Sequence, residues 1–358
     1  MAGITRLDSR LDRRQLLAAT GGAVLGAAAL GSVTNVAAQD AITATLVTDT
    51  AGIGDQNFND LANAGGQRAA EELGIEWKVL ESQTQADYVS NLTLAVEQGQ
   101  IAVPNGFLLG DAVAEVAPQF PENYFVFIDA VAEFDNVLNY LFKENEGAFL
   151  AGILAGLVTQ SGQVGMVGGQ QIPPVIRYEV GFAAGLMTTN PDATFTPSYA
   201  DDFEDPALGK ELTLALFDAG ADIVLSAAGR TGTGCFDAAN EKGSGWIVAA
   251  DTDQAHLGPD HQLCYVKKGV DEAVYQGIEH VVNGDFAGGT QNLGVLEGGM
   301  DLLGIHATID PSFAEVVAIY KQAIIDGTIV VPADPDQLAA FEPVVLDGAA
   351  SPEASPAS

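Results

Sequence analysis

The feature that most constrains the fold of this chain is the regular alternation of short β-rich segments with segments of helical periodicity. Strand-like runs are predicted to end near Thr48, Leu80, Leu109, Ile128, Phe142, Val167, Ser198, Ser226, Ala250, Lys267, Val295 and Thr308. Helical spacing occurs at about 57–73, 85–98, 145–159, 175–188, 206–219, 232–242, 270–283 and 311–326. Because strands that alternate with helices form parallel sheets covered on both faces, the pattern predicts an α/β protein. The strands are too many for one modest sheet, so two doubly wound parallel-sheet lobes are expected.

The order of these segments also predicts how the chain divides between the lobes. After Lys268 the chain is expected to return to the first lobe, and it is expected to cross again between Gly294 and Gly299. Two lobes joined by a hinge with several chain crossings form a cleft that can close on a small molecule. The expected segments are 41–145 plus about 268–295 for lobe 1, 146–267 plus about 296–330 for lobe 2, and 331–348 for a C-terminal extension.

The two ends of the chain are expected to lie outside the folded domain. Residues 1–38 are predicted to be an export signal, since Arg13-Arg14 precede a small-residue apolar stretch and Val36-Ala37-Ala38 offers a cleavage position. Paired arginines resemble a twin-arginine signal, with an ordinary secretory signal or a short membrane anchor as alternatives. The protein is therefore expected to be exported, periplasmic or extracellular, and associated with the cell surface. Residues 349–358 are predicted to be a disordered tail.

The charge balance narrows the range of partners. The formal net charge is −34, from 14 basic and 48 acidic residues. Such a surface repels nucleic acid and anionic membranes, and it disfavours a strongly anionic ligand. A saline habitat would select the same bias. Export makes a disulfide between Cys235 and Cys264 chemically possible, but both lie in core-like segments, so two buried thiols are favoured.

The segment from Gly54 to Asp60 is the first candidate for ligand contact. It follows the strand that ends near Thr48, and Phe58 stands there among carboxamide and carboxylate side chains. Ligands of open α/β sheets collect at the carboxyl ends of strands, where Phe58 could stack on a planar ring. The alternative interpretation is a polar helix cap with one core phenylalanine.

Two glycine-rich turns follow later strands, at Val167-Gly168-Gly169 and from Gly229 to Gly234. Either turn could hold phosphate through backbone N–H groups, but neither matches a phosphate-binding fingerprint. Close approach of the backbone at these turns to an uncharged ligand is the favoured interpretation.

A third candidate combines opposite charges at neighbouring strand ends. Asp251 closes one strand and Lys268 closes the next. A carboxylate and an ammonium together can hold vicinal hydroxyl groups, since one accepts and the other donates hydrogen bonds. A salt bridge at a crossing between the lobes is the equal alternative.

Taken together, these motifs resemble the basic membrane protein family, in its purine-nucleoside-receptor branch of ABC-transporter substrate-binding proteins. The resemblance covers about residues 43–330, and the shared order and spacing of the motifs carry it. The matching segments are Thr48-Asp49-Thr50-Ala51-Gly52, Asp55 to Asp60, Phe127-Ile128-Asp129-Ala130, Glu146 to Gly152, Val167-Gly168-Gly169, Arg177-Tyr178, Gly181-Phe182, Ala200 to Pro206, Gly229 to Gly234, Asp251 to Gln254 and Lys268 to Asp271.

The resemblance implies a type I periplasmic-binding-protein fold and a nucleoside, with a purine as the expected base, held between two aromatic rings. It assigns stacking to Phe58 and Phe203, the first lobe's wall to Asp49, Asn59 and Asp129, a backbone approach to Gly229, and the ribose hydroxyls to Asp251 and Lys268. Arg230 and Thr231 stand where the family often has smaller residues, which bears on base specificity.

The resemblance further implies a binding protein that works with an ABC permease and ATPase, reaches the membrane only through the permease, acts as a monomer and uses no cofactor or metal. No catalytic signature or metal-ligand spacing is found around the four histidines. Two alternatives stay open. One is a secreted nucleoside- or sugar-processing hydrolase using carboxylates such as Asp251 and Asp253, and the other is a ligand sensor without transport.

Overall fold

The computed structural model describes residues 42–348; the predicted export signal and the predicted C-terminal tail lie outside the described residues. Twelve strands and ten helices form the described part. The strands are β1 Thr43–Val47, β2 Glu76–Leu80, β3 Ile101–Pro104, β4 Tyr124–Ile128, β5 Val137–Phe142, β6 Gln163–Gly168, β7 Thr194–Tyr199, β8 Ile223–Ala227, β9 Trp246–Asp251, β10 Gln262–Lys268, β11 Gly289–Leu293 and β12 Met300–Leu303. The helices are α1 Phe58–Leu73, α2 Tyr88–Gln98, α3 Gly110–Val116, α4 Glu144–Val158, α5 Pro173–Thr189, α6 Pro206–Asp218, α7 Thr233–Lys242, α8 Val270–Asn283, α9 Pro311–Ile325 and α10 Pro335–Ala339.

The strands pair into two six-stranded sheets with the same pattern of strand order. The first sheet has the order β11-β5-β4-β3-β1-β2 and the second has β12-β10-β9-β8-β6-β7. All pairings are parallel except that between β10 and the edge strand β12, which is antiparallel. Each strand of one sheet therefore has a counterpart in the other, β4 with β9 for example. The predicted architecture of two doubly wound sheets is confirmed.

Helix packing completes two lobes around these sheets. We call the first sheet with α1, α2, α3 and α8 lobe 1, and the second sheet with α4 to α7 and α9 lobe 2, because these helices pack on the respective strands or on each other. The chain passes from β5 to lobe 2 through α4, returns to lobe 1 through α8, and crosses again between β11 and β12. Parallel strands direct their carboxyl ends to one edge, so both sheets present that edge to the space between the lobes.

Two strands end earlier than predicted from the sequence. The run expected to end near Leu109 stops at Pro104, because Gly106 has a φ of 125° and 107–109 form a 3-10 turn that leads into α3. The strand expected near Thr308 is β12, which ends at Leu303, and Gly304 with a φ of 62° turns the chain away. The short helices α3 and α10 were not predicted. Cys235 and Cys264 are both buried free thiols.

Close packing of α4 against α5 forms the centre of lobe 2. Helix α4 is apolar and buried almost throughout its length. Glycines let the two backbones approach: a Cβ atom on Gly152 would lie 2.1 Å from the carbonyl oxygen of Phe182, and one on Gly185 would lie 2.1 Å from that of Phe149. Such distances leave no room for a methyl group, so these glycines fix how α4 enters lobe 2 from the first crossing. None of the helices among residues 42–348 combines the length and apolar character that a membrane span needs.

We predict that Gly185→Ala destabilises the protein, because its methyl group would overlap the backbone of α4. Overpacking of this kind costs about 1–3 kcal/mol in the free energy of unfolding. Gly110→Ala is the matched control, since the space around Gly110 is open and its backbone is helical. Urea unfolding of both variants is the measurement, and equal midpoints for the two would contradict the packing argument.

Candidate functional site

A cavity lies between the lobes, where the carboxyl ends of the strands of both sheets meet. It has an empty volume of about 610 Å³ together with the solvent at its mouth. Apolar side chains from both lobes make most of its wall, and six side chains supply polar groups. The polar side chains are Asp49, Asp55, Asp129, Tyr178, Asp251 and Lys268.

Seven of the eight residues predicted to bind ligand lie in this wall, and one does not. Those in the wall are Asp49, Phe58, Asp129, Phe203, Gly229, Asp251 and Lys268. Asn59 was expected to line the cleft, but it is fully buried behind the wall. Its Nδ2 donates to Asp49 Oδ1 (2.8 Å) and to Asp55 Oδ2 (3.1 Å), and its Oδ1 accepts from Asn105 (3.1 Å). Asn59 therefore orients Asp49 rather than facing a ligand.

Asp55 organises the loop that presents Phe58. Its carboxylate accepts the backbone N–H groups of Asn57, Asn59 and Asp60 at 2.8–3.1 Å, so it caps the start of α1. Negative charge is favourable at a helix N-terminus. Burial nevertheless raises the pKa of Asp55 to about 6, against the effect of the three amide groups. No separate role is predicted for Asp55, but a polar helix cap is the alternative interpretation of the segment in which it lies, and Asp55 provides that cap.

Asp49 lines the cavity, and one oxygen of its carboxyl group accepts hydrogen bonds from lobe 1. Its Oδ1 accepts from Asn59 Nδ2 and from the N–H of Ala51 (3.0 Å). Burial raises the pKa of Asp49 to about 7, the hydrogen bond from Asn59 opposes this rise, and the nearby charge of Asp55 adds to it. The group can therefore change its protonation state near neutral pH.

Phe58 and Phe203 come from opposite lobes, and each ring lies against glycine backbone. A Cβ atom on Gly106 would lie 3.6 Å from the ring of Phe58, and one on Gly169 would lie 2.1 Å from the ring of Phe203. A Cβ atom on Gly229 would lie 3.5 Å from the ring of Phe203. Gly106 follows the end of β3 and Gly229 follows the end of its counterpart β8, both with positive φ, of 125° and 56°. Gly106, Gly169 and Gly229 thus make room for the two rings, and no such role is predicted for Gly106 from the sequence.

Asp129 and Asp251 occupy equivalent places at the ends of β4 and β9. Both have a left-handed backbone, with φ of 71° and 67°, which is uncommon outside glycine. Residues held in such conformations cluster at functional sites. Asp251 Oδ1 accepts a hydrogen bond from the hydroxyl of Tyr178 at 2.6 Å. Both strand ends therefore turn a carboxylate into the cavity.

Lys268 connects the polar end of the cavity to the hinge. Its Nζ donates to Asp129 Oδ2 at 2.6 Å and lies 2.9 Å from Glu144 Oε1, so it bridges the two lobes. The ammonium also lies 5.0 Å from the ring centroids of Phe58 and Phe142. Burial by itself would lower the pKa of Lys268, but the nearby carboxylates outweigh it and raise the pKa. Lys268 forms its ion pairs with Asp129 and Glu144, and Asp251 lines the same cavity; the joint hold of Asp251 and Lys268 on ligand hydroxyls stays a prediction.

Asp253, the second carboxylate of the hydrolase alternative, lies away from the cavity. Its Oδ1 accepts from the N–H of Ala255 (2.9 Å) and from Gln262 Nε2 (2.8 Å). Two carboxylates that flank a scissile bond must face the same substrate. Asp251 and Asp253 do not meet that condition. Within the described range 42–348, no cluster of three or more histidine, cysteine or acidic side chains is arranged to hold a metal ion.

Three side chains of lobe 2 hold the loop of lobe 1 that precedes Phe58. Arg230 Nη2 donates to the carbonyl of Ile53 (2.9 Å), Gln254 Nε2 donates to that of Gln56 (3.0 Å), and His256 Nε2 is 2.7 Å from Gln56 Oε1. We call these contacts the rim clasp. They must break for the lobes to separate, so they stabilise the closed cleft without using a ligand.

We predict that Asp49→Asn changes how stability depends on pH. The pKa of Asp49 is about 7 in the folded protein, against 3.8 for an ordinary aspartate. Between about pH 4 and pH 7 the folded protein therefore keeps a proton that the unfolded chain has lost. Stability therefore falls as pH rises through that window, and Asp49→Asn should lose less stability than the wild type between pH 5 and pH 8. Urea unfolding at both pH values is the measurement, with Asp192→Asn as the control for removing an exposed carboxylate. The same loss in Asp49→Asn and wild type would contradict the burial argument.

We predict that Arg230→Ala combined with Gln254→Ala opens the ligand-free protein. Each lost hydrogen bond weakens the closed form by about 0.5–1.5 kcal/mol, which shifts the balance toward open by about tenfold in total. Small-angle scattering without ligand should then give a larger radius of gyration than for the wild type. Lys242→Ala is the control, because Lys242 pairs with Asp218 inside lobe 2. A radius equal to that of the wild type would show that the clasp does not hold the cleft closed.

Comparison with known proteins identifies the family of this chain. Residues 42–334 match the model of a family described as ABC transporter substrate-binding protein PnrA-like. The chain is 34% identical over 345 residues to a CD4+ T-cell-stimulating antigen of Listeria innocua, covering 88% of this chain and 96% of the relative. It is 33% identical over 313 residues to the ABC transporter nucleoside-binding protein BmpA of Lactococcus lactis, covering 81% of this chain and 89% of the relative.

A solved structure supports the same assignment. The chain superimposes on an ABC transporter system solute-binding protein from Aeropyrum pernix with a TM-score of 0.77 and 30% identity, over 84% of this chain and 96% of the other. The fold is that of the type I periplasmic binding proteins, as the sequence predicts. The chain belongs to the Bmp family of PnrA-like ABC transporter substrate-binding proteins. The family resemblance inferred from the motifs is therefore confirmed.

Proposed function

We propose that this protein is the extracytoplasmic receptor of an ABC importer and that it binds a nucleoside, with a purine as the expected base. The observation that carries the proposal is the pair Phe58 and Phe203, which enter one cavity from opposite lobes beside three ionisable side chains suited to hydroxyl groups. An aromatic pair can hold a planar base on both faces, since every base has a π-face. The name of the Lactococcus lactis relative, a nucleoside-binding protein, supports the same ligand class.

The polar end of the cavity supports recognition of the sugar. Asp129 and Asp251 can accept hydrogen bonds from hydroxyl groups, and Lys268 can donate to the same oxygens. One oxygen of Asp129, Oδ1, is buried and has no hydrogen-bond partner among the described residues, so a ligand hydroxyl would satisfy it. Burial of an unpartnered polar atom is costly, which makes this atom a natural contact for a ligand.

The charge of the cavity favours an uncharged ligand. Asp49, Asp55, Asp129 and Asp251 lie in its wall with one cationic side chain, Lys268. A phosphate group would meet repulsion from these carboxylates and from the acidic surface as a whole. We therefore propose nucleosides in preference to nucleotides.

The proposed partners of the protein follow from its family. A substrate-binding protein of this family would deliver its ligand to an ABC permease and ATPase, and would return it intact. We propose export to the periplasm or cell surface, on the basis of the predicted signal over residues 1–38, with membrane contact through the permease. A monomer suffices, because both lobes that form the cavity belong to one chain.

We predict that Phe58→Ala weakens nucleoside binding by about tenfold or more, because base–aromatic stacking is worth about 1–3 kcal/mol per base. Titration calorimetry with guanosine, inosine and adenosine is the measurement. Phe286→Ala is the matched control, since Phe286 packs on Tyr124 in lobe 1 and is absent from the cavity wall.

Three results would count against the proposal. Equal affinity of Phe58→Ala and wild type would remove the stacking role while leaving nucleoside binding in place. Failure of the wild-type protein to bind any of the three nucleosides would overturn the ligand class itself. Release of free base or ribose during a long incubation would move the protein from receptors to hydrolases.

A further inference from the structure

Glu144 is a buried carboxylate that faces two cations and stands outside the cavity wall. It is the first residue of α4, at the first crossing between the lobes, and its side chain is fully buried. Its Oε1 lies 2.9 Å from Lys268 Nζ, and its Oε2 accepts from Arg177 Nε at 2.5 Å. Burial would raise the pKa of Glu144, but the charges of Lys268 and Arg177 outweigh burial and lower it. Glu144 is therefore ionised at neutral pH.

The ammonium of Lys268 has three N–H donors. One of them donates to the carboxylate of Asp129, and the ammonium also lies 2.9 Å from a second carboxylate as an ion pair. Asp129 lines the cavity, and its other oxygen, Oδ1, is buried without a hydrogen-bond partner among the described residues. The second carboxylate, that of Glu144, stands outside the cavity wall. A ligand hydroxyl that engages Asp129 would weaken the hold of Asp129 on Lys268. Glu144 would then remain as the fixed counter-ion of the ammonium.

We propose that Glu144 is a positioning residue: with Arg177 behind it, its charge fixes the Lys268 ammonium so that an N–H not used by Asp129 faces the hydroxyl end of the ligand. The inference rests on the proposed function, because it names the group that makes the site prefer ribonucleosides over analogues without hydroxyl groups. Glu144 does not touch the ligand. Its effect on binding is transmitted through Lys268.

A purely structural role for Glu144 makes a different prediction. Removal of one partner of a buried ion pair lowers the stability of the folded protein. If the whole binding site became less ordered as a result, the affinity for every ligand would fall to the same degree. A positioning role weakens the interactions made with hydroxyl groups and leaves base stacking in place. The comparison of a ribonucleoside with its 2′,3′-dideoxy analogue separates the two.

The binding test uses Glu144→Gln, which keeps the shape of the side chain and removes its charge. Calorimetry with guanosine and 2′,3′-dideoxyguanosine should show about a tenfold loss for guanosine and little change for the analogue, as expected for the loss of one oriented hydrogen bond. Glu179→Gln is the matched control: Glu179 lies on α5 beside Arg177 and Tyr178, but it bonds Tyr199 within lobe 2. Equal losses for both ligands, or none, would overturn the proposal.

A second variant covers the case in which Glu144→Gln does not fold. Arg177→Gln keeps Glu144 and removes the group that anchors it. Its affinity for guanosine should therefore fall by less than that of Glu144→Gln, and its affinity for the dideoxy analogue should again change little. Arg177 is partly exposed, with 20% of its side chain accessible, so its replacement leaves less buried charge unpaired. An equal effect of Arg177→Gln on both ligands would contradict the proposal.

A ligand-free measurement distinguishes failure of this inference from failure of the proposed function. The chain has seven lysines, so its lysine ammonium groups give a simple nitrogen-15 spectrum, in which Lys268→Arg identifies the signal of Lys268. An ammonium held by buried carboxylates should give a sharp signal in the wild type and in Glu179→Gln, and a broadened or missing signal in Glu144→Gln. An unchanged signal in Glu144→Gln would overturn the positioning role even if no nucleoside binds.

Discussion

The ion pair of Lys268 with Asp129 and Glu144 is the interaction on which the rest of the site depends. Three charged side chains, each at most 6% exposed, meet where lobe 1, lobe 2 and the first crossing converge. Removing such charges from water is expensive, and close pairing offsets that cost only while the geometry is kept. The network therefore ties the polar end of the cavity to the hinge, so a ligand that contacts Asp129 also acts on the link between the lobes.

The repeated strand order of the two sheets explains how one cavity obtains matched walls. Equivalent strands are terminated by the same kinds of residue. An aspartate, Asp129 or Asp251, stands at the end of β4 and β9, and a glycine, Gly106 or Gly229, follows β3 and β8. All four of these residues have positive φ. A left-handed residue ends the strand sharply and directs the following chain away from the cavity. The result is a symmetric arrangement of carboxylates and bare backbone around the aromatic side chains.

The sequence predicts the fold well because its signals are local. Alternation of strand and helix patterns defines two parallel sheets, and helices such as α1 and α8 begin and end within a residue of their predicted bounds. The error at Ile101–Leu109 arose because an apolar run conceals the break after Pro104. Asn59 was misplaced because neighbours in a helix face different directions. The contacts of Glu144 with Lys268 and of Tyr178 with Asp251 join residues far apart in the chain. Local sequence patterns therefore cannot predict them.

A crystal structure of the protein with guanosine tests the central claim most directly. We expect the base to lie between the rings of Phe58 and Phe203, and the ribose hydroxyls to lie within hydrogen-bonding distance of Asp129, Asp251 and Lys268. Lys268 should stay in contact with Glu144 in that complex. A base that lies outside the aromatic pair, or a cleft that stays empty at a saturating nucleoside concentration, would contradict it.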